Sequence, residues 1–215
     1  MASTGMSGLP WAGGAASFVA MWTVMMVAMM LPSLAPTLWR YHRALDGMGM
    51  PHPGRQTVLV GMGYFVVWAA IGMALFPLGA GLAAAGMRLP VLARAVPLMV
   101  GVVVVGAGAL QLTAWKAQQL ARCREASVPG CSTPADAATA WRHGFRLGVH
   151  CSLSCAGLTA TVLAVGVMDL RAMAVVTAAI TAERLTPAGA RVARAIGAVA
   201  VGVGLLLTAR AAGVV

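Results

Sequence analysis

Long apolar runs alternate with short polar breaks along this chain, and most of the runs have the length of membrane-crossing helices. About 20 apolar residues cross a bilayer core. Such runs fall at about Ala15–Leu38, Thr57–Ala85, Pro90–Ala114, Gly144–Val167 and Val192–Ala209, with a shorter one at about Leu170–Glu183. A polar stretch of about residues 116–142 separates the third run from the fourth and contains Pro129, Gly130 and Pro134. The pattern predicts an all-α, polytopic transmembrane helix bundle of about six spans, a single domain over residues 1–215 with that stretch as a polar loop. The fifth run is short and either crosses or re-enters. Pro32 and Pro36 in the first run are expected to kink it and free backbone carbonyls near its end.

Composition agrees with a lipid-facing surface. Of 215 residues, 60% are hydrophobic and 9% charged, against roughly 25% charged in soluble domains. The 26 glycines suit close helix packing in lipid. No basic segment precedes the first apolar run, so no cleavable signal peptide is expected.

Charge changes the picture further. Five acids, Asp46, Glu125, Asp136, Asp169 and Glu183, face 15 basic residues, for a net charge of +10. In a soluble protein that excess points to nucleic acid. Here the cations sit between apolar runs, so they read as topology signals and contacts to anionic membrane lipids, with no nucleic-acid partner. With six spans, the breaks after runs one, three and five hold Arg40, Arg43, Arg55, Lys116, Arg122, Arg124, Arg142, Arg146, Arg184, Arg191 and Arg194. The opposite side holds Arg88, Arg94, Arg171 and Arg210. The asymmetry predicts basic loops in the cytoplasm and both termini outside.

Candidate chemistry is concentrated in sulfur. In the first run Met21, Met25 and Met29 form one helical stripe, with Met26 and Met30 beside it. Thioethers are soft ligands suited to Cu(I), although methionine also serves as a packing residue. In His150-Cys151-Ser152-Leu153-Ser154-Cys155 the two cysteines lie one turn apart on one helix face. They can grip one soft ion or simply pack as small hydrophobes. His150 points about 100° away and joins them only if the helix starts there with a distortion.

Cys123 and Cys131 fall in the polar stretch, where Arg122 and Arg124 favour a Cys123 thiolate. A stable disulfide is not expected between them in a cytoplasmic loop. Met48-Gly49-Met50-Pro51-His52 is a short, weak copper motif. Glu183, at the end of the fifth run, is either a functional carboxylate or half of an ion pair with Arg184 or a neighbouring helix. No hydrolase triad, phosphate loop, paired-carboxylate site or dinucleotide signature is visible, so an enzyme is not expected.

Taken in order, these segments resemble a bacterial family of predicted metal-binding integral membrane proteins, a domain of unknown function whose members are often labelled copper chaperones. The resemblance covers Met21 to about Gly197. It rests on the Met21–Pro32 run, on Lys116 followed by Cys123-Arg124, and on Gly144, Gly148, Cys151 and Cys155. The turn Val167 to Leu170 and the pair Glu183-Arg184 complete it. The family often has adjacent cysteines where Ser154-Cys155 stands here, and an earlier cysteine where Gln119 stands. The resemblance implies a Cu(I) chaperone or delivery factor in the cytoplasmic membrane, with copper as cargo and a copper-acceptor protein as partner. The expected metal residues are Cys151, Cys155, Met25, Met26, Met29, Met30, His150, Cys123 and Glu183, around a site between the first and fourth runs. Two other readings compete. One is a structural or assembly subunit of a larger membrane enzyme complex, copper-dependent or not, with that complex or a homo-oligomer as its partner. The other is a small metal transporter, which lacks the expected inverted repeat.

Overall fold

The structure is a computed structural model describing residues 9–126, 136–166 and 169–213. Cys131 and the Val167-Met168 part of the predicted turn lie outside the described residues. Among the described residues the chain is all-helical, with seven helices and no strand. They are α1 (Leu9–Gly47), α2 (Pro53–Arg88), α3 (Pro90–Gln111), α4 (Ala114–Ala126), α5 (Ala137–Val165), α6 (Leu170–Leu185) and α7 (Gly189–Ala211).

Four segments are long and apolar enough to cross a membrane by themselves: Gly13–Gly47, Pro53–Arg88, Ala137–Val165 and Gly189–Ala211. Ala95–Gln111 and Ala114–Glu125 make a fifth if counted as one span bent by 67°. The count is therefore four or five where the hydropathy pattern predicts six. α6 has 16 residues, about 24 Å at 1.5 Å per residue, short of the roughly 30 Å hydrocarbon core.

Three boundaries differ from expectation, each for a visible reason. α1 continues past Leu38 to Gly47, through both Pro32 and Pro36. Beyond Leu38 it becomes amphipathic, and Tyr41 and Leu45, one turn apart, pack with Val60 and Ala140. α5 begins at Ala137, because the Asp136 side chain accepts from the Thr139 amide at 3.1 Å and caps it. The predicted polar loop of 116–142 begins as a helix, α4. Lys116, Gln119, Leu120 and Cys123 are all buried, at the i, i+3, i+4, i+7 spacing of one helix face.

α5 is the hub, packed against α2, α3, α4 and α6, while α1 packs on α2 and α6, and α3 on α7. Small residues set the closest approaches. A Cβ on Gly144 of α5 would lie 2.8 Å from the Val60 Cα of α2. One on Gly108 of α3 would lie 2.8 Å from the Gly197 carbonyl oxygen of α7. By contrast, among the described residues no Cα of α1 comes within 8 Å of one of α5. Side chains fill that gap, and the sulfur-bearing ones are there.

Candidate metal-binding site

The α1 side of the gap is built from its inward face. Met26, Met29 and Met30 are almost wholly buried and Met25 nearly so, whereas Met21 faces outward. The inward stripe is thus set by Trp22 and Met26 rather than by Met21. The Trp22 indole anchors it, donating to the Trp68 carbonyl of α2 at 2.8 Å. Trp22, the four buried methionines, Leu34, Tyr64, Trp68, Cys123, Cys151 and Cys155 belong to one buried cluster.

α5 supplies two thiols from the other side. The Cys151 and Cys155 sulfurs are 3.8 Å apart. Tyr64 Oη of α2 donates to Cys151 Sγ at 3.0 Å. Arg184 Nη1 of α6 lies 3.3 Å from the same sulfur and donates to Ser33 Oγ of α1 at 2.8 Å. A guanidinium against a sulfur is the charge partner of a thiolate. Ser154 Oγ donates to the Cys151 carbonyl at 2.9 Å, and so the α5 turn carrying both cysteines is internally braced.

The third thiol comes from α4. Cys123 is buried and makes a side-chain hydrogen bond with Cys151. Its sequence neighbour Arg124 donates instead to the carbonyls of Glu183 at 2.8 Å, Pro187 at 3.1 Å and Thr186, closing the α6–α7 turn. Where a polar loop is expected around Cys123, a helix holds this thiol inside the bundle. Among the described residues, Cys123, Cys151 and Cys155 form no disulfide.

What holds α4 in place is a buried polar network. Lys116 Nζ pairs with Glu183 Oε2 at 2.7 Å, both side chains 2% exposed. Gln111 Nε2 donates to Glu183 Oε1 at 2.6 Å, and Lys116 also donates to the Ser154 carbonyl. Both Glu183 oxygens are engaged, so this carboxylate joins α3, α4 and α6. Its partner is Lys116, not Arg184: adjacent helical positions diverge by about 100°, which turns Glu183 to α4 and Arg184 to Cys151.

The remaining candidates are not brought to the sulfurs. His150 sits in the middle of α5, and without a helix start at this point the condition for it to join is not met. Its Nδ1 is buried with no hydrogen-bond partner among the described residues. Met48 to His52 form the connection between α1 and α2, where Met50 packs against the Tyr41–Leu45 cluster. Sequence reasoning missed Tyr64, Ser33, Lys116 and the sulfur-facing role of Arg184. The i, i+3, i+4, i+7 pattern from Lys116 to Cys123 was the available signal for α4.

Among the described residues no three His, Cys, Asp or Glu side chains stand ready to hold a metal ion. Thioethers are not in that set, and the sulfur geometry passes a simpler test. Two sulfurs sharing an ion at about 2.3 Å each can be no more than about 4.6 Å apart, a limit that Cys151 and Cys155 meet.

These features define an all-helical protein, rich in membrane-length helices, with a buried thiol and thioether cluster between them. The family model described as "PpoB2: Copper chaperone" matches residues 19–207, and the chain belongs to that family. No curated protein and no solved structure matches it.

Proposed function

We propose that this chain is a membrane-embedded Cu(I)-binding protein that receives the ion between α1 and α5 and delivers it to an acceptor protein. Cys151 and Cys155 are the primary ligands, Cys123 is the exchanging thiol, and Met26, Met29 and Met30 complete a soft donor set. Glu183 and His150 stay outside it. The observation that carries the reading is the convergence of three cysteines, three fully buried methionines and one guanidinium in a single buried cluster. Charge favours a monovalent ion. Two thiolates around Cu(I) leave one negative charge, which Arg184 cancels, whereas a divalent ion would leave an uncompensated positive charge in an apolar interior.

The protein acts as a carrier rather than a catalyst in this reading. It lies in the cytoplasmic membrane, with the basic ends of α1, α4 and α6 on the cytoplasmic side. Elemental analysis of protein purified gently from its native membrane tests it. Wild-type protein should carry copper, at or below one equivalent, and the C151A/C155A double variant should carry none. Copper retained by a folded double variant rejects this ligand assignment.

A further inference from the structure

Beside the thiols is a chamber that shares Cys123 and Arg184 with the copper reading but adds residues that reading does not use, Arg40, Arg124 and Thr37. The chamber, of about 250 Å³, is lined by Arg40 of α1, Arg124 of α4 and Arg184 of α6, together with Ser33, Thr37 and Cys123. Three cations from three helices meet there. Among the described residues the ion pair is Lys116–Glu183, and none of the three arginines has a carboxylate partner. Arg124 Nε is buried without a hydrogen-bond partner, and the Ser33 and Thr37 side chains are buried. Cations gathered without acids around a concave, hydroxyl-lined space form an anion site. The volume lies just below the roughly 300–1,000 Å³ of small-molecule sites, which suits a ligand of amino-acid or small-peptide size. Cys123 belongs both to this chamber and to the sulfur cluster.

We propose that the chamber docks a small thiol bearing carboxylates, which arrives with Cu(I) bound as its thiolate complex. This rests on the copper-carrier reading and extends it to the form in which the ion is supplied. The arginines hold the carboxylates and bring the copper to Cys123. A Cu–S bond to Cys123 forms and the bond to the arriving sulfur breaks. The Cys123 proton leaves on the displaced thiolate, and copper remains Cu(I) throughout. The contact between Cys123 and Cys151 then passes the ion inward.

Arg40 is the position to test, because its side chain is exposed and lines the chamber without being a metal ligand. Full-length protein in detergent is mixed with Cu(I)–glutathione, an anionic donor, or with Cu(I) in acetonitrile, a donor with neutral ligands. R40E should slow transfer from glutathione at least tenfold relative to transfer from acetonitrile, and R40Q should give a smaller loss of the same kind. The wild-type glutathione rate should fall with salt, and R40E should flatten that dependence. An equal change for both donors, or none, overturns the proposal. S-methylglutathione, which has the carboxylates but no thiol, should compete with the glutathione complex; inorganic phosphate competing equally well overturns the thiol assignment. If wild-type protein takes copper from neither donor, the carrier reading fails. Calorimetry of S-methylglutathione on metal-free protein still reports on the chamber: binding that R40E abolishes supports it, and no binding rejects it.

Discussion

Arg184 and Cys151 are in direct contact, with Nη1 of the guanidinium 3.3 Å from the sulfur, and the same nitrogen donates to Ser33 at 2.8 Å. One cation thus joins α6 to α5 and to α1, the helices on either side of the sulfur-filled gap. A hydrogen bond to a charged group contributes about 1.5–3 kcal/mol, roughly ten- to a hundredfold in affinity. R184Q should therefore weaken Cu(I) binding by that factor, measured by competition with a chromophoric Cu(I) chelator. R184K should recover part of the loss, since it keeps the charge but not the planar guanidinium that fixes Nη1 against both Ser33 and Cys151. An R184Q protein with wild-type affinity would remove Arg184 from the site's charge balance.

The Lys116–Glu183 pair makes a different prediction, about stability and the position of Cys123. Breaking a buried pair by removing one partner costs about 3–5 kcal/mol, because it leaves an unpaired charge inside, whereas replacing both by apolar residues is close to neutral. E183A should lower the unfolding temperature in detergent sharply, and K116M/E183L much less. α4 should loosen in E183A, so Cys123 should react faster with a maleimide than in wild type. The outcome that counts against this account is a single variant as stable as the double, with Cys123 still protected.

How much of this was legible in the sequence depended on whether a local period carried it. The C-x-x-x-C pair could be placed on one face because both cysteines lie on the same helix. α6 and α7, and the C-terminal end of α5, emerged near their expected positions for the same reason. α4 was hidden because its buried face includes Lys116 and Gln119, residues that a hydropathy pattern assigns to water. The burial of Lys116 depends on Glu183, far along the chain, and no local window contains that partner. Glu183-Arg184 invited a local ion pair, and the helical turn between consecutive residues sent the two side chains to different neighbours. Tyr64 stands in an apolar helix with nothing around it to mark its hydroxyl. What locates it is the close packing of α5 on α2, where a Cβ on Gly148 would lie 2.9 Å from the Tyr64 carbonyl oxygen. Six spans are not confirmed: among the described residues four helices, or five with the bent α3–α4 pair, are long and apolar enough to cross, and α6 is short.

The methionines of α1 separate packing from ligation most directly. Met26, Met29 and Met30 are buried to within 2%, and leucine nearly matches methionine in volume. Such exchanges usually cost less than about 1.5 kcal/mol each. If these side chains only fill the gap, M26L/M29L/M30L should bind copper as wild type does. The donor set proposed here requires a different result, because leucine keeps the shape and removes the sulfur. The triple variant should hold its fold, seen as an unfolding temperature within a few degrees of wild type, while its Cu(I) affinity falls at least tenfold in chelator competition. X-ray absorption at the copper edge should show fewer sulfur neighbours than in wild type. Unchanged affinity and an unchanged sulfur shell would leave the cysteines as the only ligands and return the α1 stripe to packing.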